Sequence, residues 1–152
     1  MTYEEASEAL NKMFWDTFKV EALAILGYVP TVYWPFVTEP TSAPIDKVWC
    51  RVSRKTNPKE LSGFGEGNAN FAARYDTDGL YYVQMFYPQS DKSASSKFTK
   101  LAQIAESCFL GKHDPSNLLW VRSVETKELD SEKTWFRLNV IIEFTYQEIR
   151  GS

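Results

Sequence analysis

A chain of 152 residues with a net charge of −3 is long enough to bury a core without disulfide or metal staples, and too acidic to hold nucleic acid by neutralising phosphates. Apolar residues at 43% and charged residues at 24% are ordinary for a globular protein and exclude wholesale disorder. Aromatic residues make up 15%, a surplus that points either to an aromatic-rich core or to surfaces that meet other chains. No apolar run approaches the roughly 20 residues of a membrane-spanning helix. The acidic start Met1-Thr2-Tyr3-Glu4-Glu5 is unlike a signal peptide, so the protein is expected to be cytosolic at synthesis.

Thr2, followed three residues later by Glu5, forms a capping box, and Ala6, Leu10, Met13, Phe14, Thr17 and Phe18 recur at helical spacing. A first helix is expected to about Lys19. Val20 to Leu26 has no clear period, and Gly27 would end either a helix or a strand. Pro30, Pro35, Pro40 and Pro44 then hold the chain extended and remove donors, leaving room for one short edge strand, Thr31 to Trp34. Val48 to Ser53 alternates and predicts a second strand with Val48, Cys50 and Val52 inward. Asn57 to Ala73, with Gly63, Gly65, Gly67, Asn68 and Asn70, is expected to be a loop that orders against a neighbour, with Phe64 and Phe71 to bury.

Gly79 to Tyr87 is apolar on both faces, Leu80, Tyr82 and Phe86 on one and Tyr81, Val83, Met85 and Tyr87 on the other. It belongs inside a sheet, and Pro88 stops it. From Lys97 a second helix sets Phe98, Leu101, Ala102, Ala105, Cys108 and Phe109 on one stripe, and Gly111 ends it. The last segment is a long hairpin: Leu118 to Leu129, a turn at Asp130-Ser131-Glu132, then Phe136 to Tyr146. In that strand Phe136, Leu138, Val140, Ile142, Phe144 and Tyr146 share a face. The order predicts one domain, 1–152, of α+β class: a mixed, mostly antiparallel β-sheet with a long C-terminal hairpin, a helix packed on one face, and an N-terminal helix.

Chemistry is sparse. The single histidine, His113, sits in a polar link with no base-orienting partner in sight, and the carboxylates at Glu4-Glu5, Asp76/Asp78 and Glu128/Asp130/Glu132 fall in helix starts or turns. The glycine-rich loop lacks the Gly-Lys-Ser/Thr of a phosphate cradle. Asp76-Thr77-Asp78-Gly79 lacks the acid that would close a calcium loop. Cys50 and Cys108 lack metal-ligand spacing and are expected to be buried free thiols. Trp34, Trp120 and Trp135 could stack a sugar or base, but core or interface is the commoner use. No catalytic, cofactor-binding or metal-binding residues are expected, and an enzyme is the weakest reading.

Several features together resemble the tail terminator, or tail completion, proteins of long-tailed phages. They are the capped start Thr2-Tyr3-Glu4-Glu5-Ala6, the proline-bounded approach to Trp49-Cys50-Arg51-Val52, the glycine-containing loop before Arg74-Tyr75, the strand Gly79-Leu80-Tyr81-Tyr82-Val83-Gln84-Met85-Phe86-Tyr87-Pro88, the amphipathic helix and the terminal hairpin. Gly-Leu-x-x-Val-Gln-x-Phe-x-Pro is the most specific part, and Lys19 to Val32 departs from the family pattern.

The resemblance implies a structural virion protein at the head–tail junction, assembled in the host cytoplasm. Its copies would form a hexameric ring that caps the tail tube, stops its polymerisation and offers a surface to the head connector. Its partners are then itself, the tail tube protein and the head connector or neck protein. DNA passes only as cargo through the lumen, and no membrane or cofactor is involved. A glycine-rich arm (Leu61 to Phe71, with Phe64, Glu66, Asn68 and Phe71) and an overhanging hairpin (Glu125 to Trp135, with Glu128, Asp130 and Glu132) are the expected halves of a subunit or tube interface. Two other readings stay open: a head–tail connector or neck stopper of the same build, and a monomeric domain that binds a small ligand in an aromatic-lined pocket.

Overall fold

A computed structural model describes residues 1–35, 46–64, 73–91, 94–132 and 134–150. The polypeptide forms helix α1 (Tyr3–Leu26), strands β1 (Thr31–Tyr33), β2 (Trp49–Thr56), β3 (Glu60–Phe64) and β4 (Ala73–Pro88), helix α2 (Ala94–Ser107), and strands β5 (Leu119–Glu132) and β6 (Trp135–Arg150). The class is α+β, as expected. The sheet runs β1-β2-β4-β6-β5, with β3 added to the outer part of β4; only the β1–β2 pair is parallel.

α1 starts where the capping box requires, Thr2 accepting the Glu5 N–H, but it runs seven residues past Lys19. Its last turns carry Val20 and Leu23, which are exposed, while Ala22 is buried. An apolar face turned outward erases the helical period, although the residues are good helix formers. Gly27 closes the helix in the left-handed conformation at φ 81°, donating its N–H to the Leu23 carbonyl.

Both helices cover one face of the sheet. Phe14 stacks on Phe18 (4.6 Å between centroids) and on Phe109 (6.1 Å), and the Cys108 thiol donates to the Phe14 carbonyl at 3.5 Å. Beneath them lie Cys50 and Val52 of β2, Tyr81, Val83, Met85 and Tyr87 of β4, and Leu138, Val140, Ile142 and Phe144 of β6, in one buried cluster. The predicted inward face of β2 is therefore the observed one, and β4 lies inside the sheet, between β2 and β6. Each side chain of this size removed from water contributes about 1.5–3 kcal/mol, which fixes the helices on the sheet. On the opposite face a smaller cluster of Tyr33, Trp49, Phe86 and Trp135 closes one end, Trp49 stacking on Phe86 at 3.8 Å.

Four expectations are corrected. Glu60–Phe64 is a strand within the presumed loop, carrying a bulge between Leu61 and Gly63 that let it pass as irregular sequence. Asp130, Ser131 and Glu132 are not the hairpin turn: β5 continues through Glu132, paired with Trp135, and a bulge after Leu129 absorbs the polar residues. The hairpin does not overhang either, because β4 is as long as β6 and accompanies it to its end, Pro88 beside Trp135. Phe136, assigned to the buried face, is 38% exposed.

Candidate assembly interface

The overhang lies at the other end of the sheet. β2 and the helices stop near Gly79 and Tyr146, but β4 and β6 continue as the pairs Thr77↔Tyr146 through Ala73↔Arg150, with β3 along their edge. This three-stranded ribbon has no helix on either face among the described residues. Its root is pinned. Lys59 donates to the hydroxyls of Tyr146 (2.7 Å) and Thr77 (3.1 Å) and pairs with Glu148 (2.9 Å). The hydrogen bond from Lys59 holds the Glu148 carboxyl below its ordinary range; burial pulls the Lys59 ammonium down, but its bonds to Tyr146 and Glu148 more than offset this and raise it.

Two more cross-strand bonds fix the ribbon's register, Thr145 to Asp78 (2.6 Å) and Gln147 to Asp76 (3.1 Å). The Asp76/Asp78 carboxylates thus act as acceptors within the sheet. The ribbon exposes apolar groups on both faces: Leu61 is 55% exposed on one and Ile149 50% exposed on the other. Beside Ile149, across the ladder, Arg74 is exposed and makes no ion pair among the described residues.

At the opposite end of the molecule a groove of about 540 Å³ lies between α2 and the hairpin tip. Phe98 and Thr99 form one wall, Leu129, Phe136 and Leu138 the other, and Asp91, Glu128 and Arg137 contribute charge. Asp91 accepts from the Tyr87 hydroxyl at 2.7 Å, and Arg137 donates its Nε–H to the Asp130 carbonyl at 2.9 Å. Glu128 is exposed, with no ion-pair partner among the described residues.

Of the seven residues expected at an interface, Glu128, Asp130 and Glu132 lie on β5 at this groove end, Asp130 exposed within the bulge. Phe64 ends β3 at the ribbon end, paired with Ala73. Glu66, Asn68 and Phe71 fall outside the described residues. The two groups stand at opposite ends of the sheet. Leu61, Arg74, Phe136 and Ile149 are not among the seven residues expected at an interface. Ile149 is out of phase with the even-numbered apolar series of β6, which continues instead to Glu148 and Arg150, so the alternation gave no signal for it.

The remaining chemistry-bearing residues serve the fold. Asp114 is buried and accepts from the Ser116 hydroxyl and from the backbone N–H groups of Ser116 and Leu119; burial raises its pKa, and these bonds bring it below the ordinary value. Ser116 thus gives its proton to a loop cap, and the neighbouring His113 lies in a bridge with Trp120. Trp34 packs on Trp15 and Phe14, Trp135 is buried, and Trp120 is 36% exposed. No group of three or more His, Cys, Asp or Glu among the described residues could hold a metal ion, and no helix there is long and apolar enough to cross a membrane.

No family model matches the chain, and no curated protein matches it. A solved structure that carries no functional name matches with a TM-score of 0.60 and 16% identity, over 97% of this chain and 98% of the other. At that identity the likeness is one of fold, from end to end.

Proposed function

We propose that the chain is a structural virion subunit, a ring-forming tail terminator that caps the tail tube, stops its polymerisation and presents a docking surface to the head connector. The observation that carries the reading is the bare ribbon: a helix-backed sheet extended by strands that expose Leu61 and Ile149 on opposite faces, an arrangement one subunit leaves unfinished. The sequence resemblance to tail terminators supplies the setting. A ring needs one patch to meet a different patch on the next copy, and the sheet offers unlike ends. An alternating, hydrogen-bonded ribbon also suits repeated packing better than it suits a catalytic pocket.

The test is electron microscopy and native mass measurement of the purified protein, alone and with tail tubes. Closed rings, or density at tube ends with tube growth halted, are expected. Binding to the head connector with no affinity for tubes would make it a neck protein instead. A monomer at micromolar concentration that stays solitary with tubes present would remove the reading.

A further inference from the structure

We infer that the ribbon of one subunit seats in the groove between α2 and the hairpin tip of the next, so that two copies of this chain meet head to tail. The inference rests on the ring-forming reading above and identifies the surfaces that would join its subunits.

The ribbon ends at Ala73↔Arg150 and the groove at Pro88↔Trp135, the two limits of one continuous ladder. At about 3.3 Å per residue these lie roughly 50 Å apart along the strands, so no subunit can reach its own groove with its own ribbon. Apolar side chains on both faces favour insertion between two walls over lying flat on one surface. The groove supplies two walls, α2 with Phe98 and the hairpin with Leu129 and Phe136, and Phe136 stands exposed where an incoming apolar group would cover it.

The charges agree. Arg74 at the ribbon's outer rungs and Glu128 at the groove are both exposed and unpaired among the described residues. The ribbon acids Glu60 and Asp76 lie two rungs nearer the body. Seating Arg74 beside Glu128 fixes the depth of insertion and sets polarity, since a ribbon meeting a ribbon, or a groove a groove, would oppose like charges. A contact between unlike ends closes into a ring if its rotation permits.

The native thiols are buried, so a thiol introduced at the surface is the one a maleimide reaches. Leu61→Cys and Phe136→Cys are made as separate proteins and treated with a short bis-maleimide, each alone and mixed, under conditions where the wild type assembles. A cross-linked dimer in the mixture, and in neither protein alone, is expected. Cross-linking of either variant with itself would overturn the inference.

Oligomers that persist by native mass without the mixed product would overturn this contact while sparing the ring. A solitary subunit under all conditions, tubes included, would take both down. Arg74→Glu and Glu128→Arg should each weaken self-association by at least about tenfold at low salt, and the double variant should restore it. A double variant as weak as the singles would place the two charges in different contacts.

Discussion

Gly79 is where β4 leaves the covered body and becomes ribbon, and it faces the Phe144 ring. A β-carbon there would lie 2.6 Å from Cζ of that ring and 2.8 Å from the Lys55 carbonyl. The ring is buried and the carbonyl belongs to β2 backbone, so neither has room to give. Gly79→Ala is expected to cost about 2 kcal/mol, at the level of overpacked cores, and to lower the urea midpoint with an unchanged slope. A midpoint equal to wild type would show that the ladder yields at this rung. The two thiols make the opposite case, of chemistry suppressed by place. Burial pushes Cys50 up to about 12 and Cys108 up to about 11, so neither is a thiolate at neutral pH. Folded protein should leave a thiol reagent unconsumed for as long as it stays folded, and urea should release both groups; fast reaction of either in the native state would contradict the packing of α1 against Phe109 and β2.

Whether an element was legible depended on how much of it lay over the core. β6 announces itself by alternation because each covered rung puts one side chain under a helix, β4 by an apolar run stopped by Pro88, and α2 by its stripe. β3 has Leu61 exposed, Gly63 without a side chain and a bulge between, so burial gives its sequence no period. The end of α1 was obscured for the same reason. The groove was invisible because it arises from the approach of α2 to β5 and β6, which no local pattern encodes, and the bulge after Leu129 moved the polar triplet out of the turn. What holds the ribbon's root is a titratable set, and its sign can be worked out. Glu148 has a depressed pKa, so its share of stability is present above the carboxylate range and lost as pH falls through it; Lys59 has a raised one, so its share is present at neutral pH and lost as pH rises through the lysine range. Lys59→Met should cost about 1 kcal/mol or less at neutral pH, given the partial exposure of both groups, and the difference from wild type should vanish at both extremes. A thermal-melt difference that is flat from acid to alkali would mean that the lysine acts through its aliphatic stem alone.

Taken whole, the molecule has a gradient of cover along a single ladder. From Gly79 to Pro88, β4 is flanked by β2 and β6 and lies under the helices; from Ala73 to Asp78 it is flanked by β3 and β6 and has no helix above or below among the described residues. Backbone hydrogen bonds are alike in both halves, so the difference in local stability comes from side-chain burial. Amide exchange in the dilute subunit should therefore divide β4 and β6 at the Gly79↔Phe144 rung, slow on the body side and fast on the ribbon side. Assembly then removes the reason for the difference. If copies complete one another by way of the ribbon, protection from Ala73 to Asp78 and from Thr145 to Arg150 should rise at least tenfold on assembly, about 1.4 kcal/mol of added local stability, while the body side changes little. The hairpin tip around Leu129 and Phe136 should slow in the same experiment, since each filled groove accompanies a covered ribbon. Protection gained at the ribbon without a matching gain at the tip would move the receiving surface elsewhere on the neighbour. Equal protection of both halves in the isolated subunit would mean that the ribbon is stable uncovered, and the case for a partner would lose its physical ground.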